Sequence, residues 1–149
     1  MGTLKNDAHA RMHSTKAFPL TGLNQHGLPS GYPHRPEDET TPRELAQLLR
    51  DASASRPFIL DVRTQPEWDI CRLEHARLVP LQELEARLDE LKAELDDDLN
   101  RRVVVHCHHG RRSLTATYML RAAGFTNVTS LAGGIHLWSL DIDPSVPTY

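Results

Sequence analysis

The chain has 149 residues, 39% of them hydrophobic, and a formal net charge of −3, which suits one domain with a core of its own. Charges of both signs are interspersed. There is no basic block for nucleic acid or a membrane surface, no apolar run long enough to span a bilayer, and no apolar leader at the N-terminus. The two cysteines, Cys71 and Cys107, do not form a disulfide framework, so a reducing cytoplasm is the expected setting, one in which a reactive thiol persists.

Residues 1–38 read as an N-terminal arm outside the domain, which is assigned to residues 39–149. The arm carries His9, His13, His26 and His34 among Pro19, Pro29, Pro33 and Pro36, with no amphipathic period. This predicts a flexible or loosely docked segment, and the irregular histidine spacing does not define a metal set. Thr41-Pro42-Arg43-Glu44 is a capping box with proline at the first helical position, and Leu45, Leu48 and Leu49 follow on one helical face. Phe58 to Val62 predicts a short buried strand, Pro66 to Cys71 a short helix, and Arg77 to Val79 another strand stopped by Pro80. From Gln82 to Leu95 the stripe Leu84, Leu88, Leu91, Leu95 predicts a helix packed on a sheet, and Asp96-Asp97-Asp98 a solvated turn.

The most informative stretch comes next. Arg102 to His106 predicts a strand, and Cys107-His108-His109-Gly110-Arg111-Arg112-Ser113 a loop. A helix follows over Leu114 to Ala123, ended by Gly124. In such a strand–loop–helix unit the loop amides and the helix dipole make an anion cradle. A cysteine at the start of that loop is favoured as thiolate, which points to nucleophilic sulfur chemistry on an anionic substrate. Val128 to Leu131 predicts a last strand, and Gly133-Gly134 opens a helix carrying Ile135, Leu137, Trp138 and Leu140. Strands alternating with helices predict an α/β fold with a central, mostly parallel sheet flanked by helices on both faces. Ligands in such sheets bind at the carboxyl ends of the strands, where Cys107 lies.

Three motifs together resemble the rhodanese-like sulfurtransferase family: Cys107-His108-His109-Gly110-Arg111-Arg112 as the C-x-x-G-x-R loop, Leu131 to Trp138 as the L-x-G-G-x-x-x-W signature, and Asp61-Val62-Arg63 with Glu67-Trp68 as the upstream motif. The resemblance covers roughly residues 41–149. One departure is that Cys71 and His75 stand where the family usually has His and Gly. The resemblance implies that Cys107 takes a sulfane sulfur from thiosulfate or a persulfide and holds it as a persulfide. A thiol, cyanide or protein-cysteine acceptor then removes it, without metal or organic cofactor. It also implies that Asp61, Arg63 and Glu67 brace the active loop.

His108, His109, Gly110, Arg111, Arg112 and Ser113 are the expected substrate-binding loop. Gly110 lets it curl. Arg111 and Arg112 offer planar forks for an oxyanion, Arg112 being favoured as the pocket arginine. Ser113 either caps the next helix or hydrogen-bonds the sulfur. His106 and Trp138 are expected in the core, and Cys71 is expected there too rather than as a resolving thiol. No metal is expected, since adjacent loop histidines should point in different directions and no second cluster completes a set. The rival readings are a non-catalytic or relay module and a cysteine-dependent phosphatase or arsenate reductase. Phosphatases of this fold use C-x₅-R, whereas here Arg112 follows Cys107 after four residues.

Overall fold

A computed structural model of the chain describes residues 22–149. Its centre is a sheet of five strands: β1 (Glu39–Thr40), β2 (Phe58–Asp61), β3 (Arg77–Leu78), β4 (Val103–His106) and β5 (Val128–Leu131). All neighbours are parallel, in the order β1-β5-β4-β2-β3. The helices are α1 (Pro42–Arg50), α2 (Gln65–Ile70), α3 (Leu81–Leu84), α4 (Leu88–Glu94), α5 (Arg111–Ala122) and α6 (Gly134–Asp141), with a 3₁₀ turn over Glu85–Arg87. Among the described residues no helix is long and apolar enough to cross a membrane.

Side-chain alternation along the central strands builds two cores. Val103 and Val105 face one side, with Leu84, Leu91, Leu95, Ala116 and Leu120 from α3, α4, α5 and their flanks. Val104 faces the other, with Leu45, Ile135 and Trp138 from α1 and α6. The strands are buried on both faces, which is why β4 reads as an unbroken apolar run rather than an alternating one. This is the α/β architecture expected from the sequence.

Local signals are realised as well. Thr41 caps α1, its side chain accepting from the Glu44 amide while Glu44 returns a bond to the Thr41 amide. The leucine stripe is buried at Leu84, Leu91 and Leu95. The single helix expected over 82–95 is divided by its 3₁₀ turn. Strand β1 carries no strand signal in the sequence, being two residues long; its place comes from pairing with β5.

In the described part of the expected arm, residues 22–38, Leu28 is fully buried and packs with Ala132 and Leu137. Tyr32 donates from its hydroxyl to Glu39 at 2.5 Å and accepts from the Gly133 amide at 3.2 Å. His9, His13 and Pro19 lie outside the described residues.

Candidate active site

The loop between β4 and α5 lies at the carboxyl end of a central strand. Gly110, at φ 107°, turns the chain into α5 and caps it. A side chain there would sit in a left-handed backbone conformation, 3.4 Å from the Gly133 nitrogen and the Leu131 carbonyl oxygen. The helix starts at Arg111, three residues earlier than expected, so Ser113 falls within its first turn rather than at its cap.

That shift decides what Ser113 does. The Gly110 amide donates to Cys107 Sγ at 3.1 Å and the Ser113 amide at 3.4 Å. Ser113 Oγ lies 3.4 Å from the same sulfur and 2.7 Å from Ser130 Oγ. Two backbone donors, a hydroxyl and the amino end of a twelve-residue helix therefore converge on one sulfur atom. The arrangement favours negative charge on it. Cys107 is 1% exposed.

The loop is held from the far side by α6. Ile135 and His136 donate their amides to the carbonyls of Cys107 and His108 at 2.9 and 3.0 Å. These are first-turn amides with no partner inside their own helix. The approach is close because Gly134 has no side chain: a Cβ there would stand 2.7 Å from the Cys107 carbonyl oxygen and 2.6 Å from the His108 carbonyl carbon.

A chain of charged groups braces the same loop from the β2 side. Arg63 is fully buried and doubly bonded to Asp61, with its Nη2 2.7 Å from Oδ2. It also donates to the Cys71 carbonyl at 2.7 Å and to the Tyr149 hydroxyl at 3.0 Å. Burial opposes the charge on Arg63, but the bonds to Asp61 and Tyr149 together outweigh it and keep the guanidinium protonated. Tyr149 donates its hydroxyl hydrogen bond to Glu67 at 2.9 Å; burial pushes its phenol up to about 12. Glu67 then takes both terminal nitrogens of Arg112, at 2.7 and 2.8 Å. Arg112 holds the Glu67 carboxyl far below the usual carboxylate range, helped by the Thr64 amide and against partial burial.

Asp61, Arg63 and Glu67 are thus linked through Tyr149 to Arg112 of the loop. Arg112 differs from expectation: its fork is bidentate on Glu67 rather than free as an oxyanion binder, because a partly buried carboxylate sits within reach. Arg111 is exposed at the start of α5. His106 is wholly buried, 3.5 Å from Asp61, and burial pulls its pKa down. Cys71 packs in the core on the opposite face of the sheet from the one that holds Cys107, and both thiols are free.

The loop histidines do not diverge as expected. The rings of His108 and His109 lie 3.9 Å apart, and His136 from α6 comes 5.7 and 4.9 Å from them. His108 also stacks on Tyr149 at 3.9 Å and 8°. Tyr32, His136 and Tyr149 are the site residues that sequence reasoning missed. His136 had a signal: it lies two residues after Gly134, inside the signature that docks on the loop. Tyr32 and Tyr149 had none, since neither belongs to a motif. Beside the loop a cavity of about 550 Å³ is lined by Tyr32, His109, Gly133, His136 and Leu137 among others.

Comparison with known proteins agrees with this architecture. Residues 41–141 match the family model of the rhodanese-like domain. The chain is 34% identical over 110 residues to the maize (Zea mays) adenylyltransferase and sulfurtransferase MOCS3-1, covering 73% of this chain and 23% of that protein. It thus spans about a quarter of the length of the curated relatives it matches. Among solved structures, the human single-domain sulfurtransferase TSTD1 superposes with a TM-score of 0.58 at 28% identity, covering 67% of this chain and 93% of that one. A rhodanese-like domain protein from Staphylococcus aureus gives 0.61 at 24% identity, covering 75% and 98%, and shows the same fold.

Proposed function

The chain belongs to the family of rhodanese-like domains, and from that premise we propose that it transfers a sulfane sulfur through a persulfide on Cys107. The observation that carries this reading is the convergence of the Gly110 and Ser113 amides and the Ser113 hydroxyl on Cys107 Sγ. The Cys107 thiolate attacks the outer sulfur of thiosulfate. The bond between the two sulfurs of the donor breaks, and sulfite leaves with the electron pair. A persulfide donor reacts alike, its thiolate leaving. Cys107 then carries one added sulfur, whose charge the loop amides stabilise as they do that of the thiolate. A nucleophile such as cyanide, a small thiolate or a protein cysteine attacks that terminal sulfur, and the Cys107 thiolate departs as it started. The cycle is covalent and ping-pong, with no net redox change.

The phosphatase reading loses support on the same geometry. A phosphatase of this kind needs a guanidinium free to fork onto the phosphoryl oxygens, and both terminal nitrogens of Arg112 are bound to Glu67. Cys71 is an unsuitable resolving thiol, because the sheet separates its core from that of Cys107.

The deciding experiment is mass spectrometry of the reduced protein before and after thiosulfate. One added sulfur on the Cys107 peptide, absent from the Cys71 peptide and from Cys107→Ser, is the expected result. Cys71→Ser should keep most of the turnover. A folded, reduced protein whose Cys107 stays unmodified at saturating donor overturns the reading. Turnover of aryl phosphates by the wild type would put the phosphatase in its place.

A further inference from the structure

The three imidazoles at the mouth of the loop do nothing in the transfer cycle above, yet the fold brings them together from two elements. His108 and His109 come from the loop and His136 from the first turn of α6, and one nitrogen from each lies within 4.8 Å of the other two. The backbone fixes this meeting, since the His136 amide donates to the His108 carbonyl at 3.0 Å. A second observation is independent of that clustering. Among the described residues, the buried His108 Nε2 and His136 Nδ1 meet no hydrogen-bond partner. A buried ring nitrogen without a partner costs about 1–3 kcal/mol, and here two of them belong to rings of one cluster, where a single ligand can satisfy both.

We propose that His108, His109 and His136 form a binding site for one borderline divalent transition-metal ion of the Zn²⁺ class. Imidazole nitrogen suits this class, and the absence of any carboxylate from the set disfavours Mg²⁺ and Ca²⁺. A tetrahedral ion with bonds of about 2.0–2.1 Å needs its nitrogens roughly 3.3 Å apart. His109 is exposed and has rotamer freedom to close the remaining distance. His108 is held by its stack on Tyr149, which orients a ligand as an outer partner should. Three protein ligands leave a fourth position for an exogenous thiolate or anion, at the rim of the pocket that Cys107 occupies.

The site is separable from sulfur transfer, and so is its test. The full-length Cys107→Ser protein is titrated with Co²⁺ and followed by visible absorption. The expected result is one saturable ion per chain with a four-coordinate spectrum and no sulfur-to-cobalt charge transfer. Zn²⁺ should displace it. His136→Ala and His109→Ala should each weaken binding by about tenfold or more, while His34→Ala, outside the set, leaves it unchanged. Circular dichroism checks folding, and the exposed His109 keeps the test open if His136→Ala is unstable. Absence of a saturable site, or affinity unchanged in both His136→Ala and His109→Ala, overturns the proposal whatever becomes of the persulfide.

Discussion

Arg112 has the clearest consequence at the scale of single residues. It is bound through both terminal nitrogens to Glu67, so its loss should loosen the active loop rather than remove an anion contact. Arg112→Ala is therefore expected to lower kcat/KM by a similar factor for thiosulfate and for a neutral persulfide donor. Loss of a charge-assisted pair worth about 1.5–3 kcal/mol corresponds to roughly 10- to 150-fold. A much larger loss for thiosulfate alone would mean that Arg112 leaves Glu67 to meet the donor. Glu67 itself gives a pH signature. Its folded-state pKa lies far below the unfolded value, chiefly through Arg112. Its contribution to stability is thus complete above the ordinary carboxylate pKa of about 4.3 and is lost progressively as pH falls below it. Glu67→Gln should cost about 1.5–3 kcal/mol near neutrality, and the gap to wild type should narrow in acid. Urea denaturation at several pH values measures this; a gap that stays constant from neutral pH into acid would show that the carboxylate's charge is not what matters.

Among elements, the docking of α6 on the loop rests on two glycines with different tolerances. At Gly134 a methyl group meets loop backbone, which cannot move aside, and φ is 62°. At Gly110 φ is 107° but the neighbours stand at ordinary contact distance. Gly134→Ala should then destabilise the domain by on the order of 3 kcal/mol or more, combining left-handed strain with displacement of the loop. Gly110→Ala should cost the backbone strain alone, about 1–2 kcal/mol. Thermal melts order the two, and equal costs would mean that the close approach of α6 is not required. Local signals of this kind made most elements legible in the sequence. The capping box at Thr41, the apolar run ending in Cys107 and the leucine stripe of 84–95 each act through neighbours a few residues away. What stayed illegible depends on tertiary partners: β1 has meaning only beside β5, Arg112 is claimed by Glu67 forty-five positions earlier, and His136 reaches the loop histidines only because α6 docks there. Leu28 and Tyr32 likewise sit in a stretch whose composition suggests a loose arm, yet the structure buries the one and hydrogen-bonds the other. Composition registers the absence of a periodic face and is blind to a single well-placed anchor.

For the whole molecule, the outermost strand on one edge is also the first among the described residues, and it pairs with the last: Glu39 lies opposite Ser130 and Thr40 opposite Leu131. Such a contact closes nearly the whole domain into a loop, whose entropy must be lost before the contact contributes anything. Folding should therefore proceed from the β2–β4–β5 centre outward, with β1 arriving late. Val104→Ala, at the fully buried centre of β4, is expected to slow refolding. Thr40→Ala, which removes the hydroxyl contact to Thr129, should leave the refolding rate nearly unchanged and speed unfolding instead. Stopped-flow chevrons separate the two, and a slowed folding limb in Thr40→Ala would place the edge strand in the nucleus. The same late closure brings in Tyr32, which follows Leu28 onto the glycine turn before α6. The glycine turn that sets α6 against the active loop is then pinned by Tyr32 only after the central sheet has formed, so a refolding sample should recover its helical signal before it recovers full turnover.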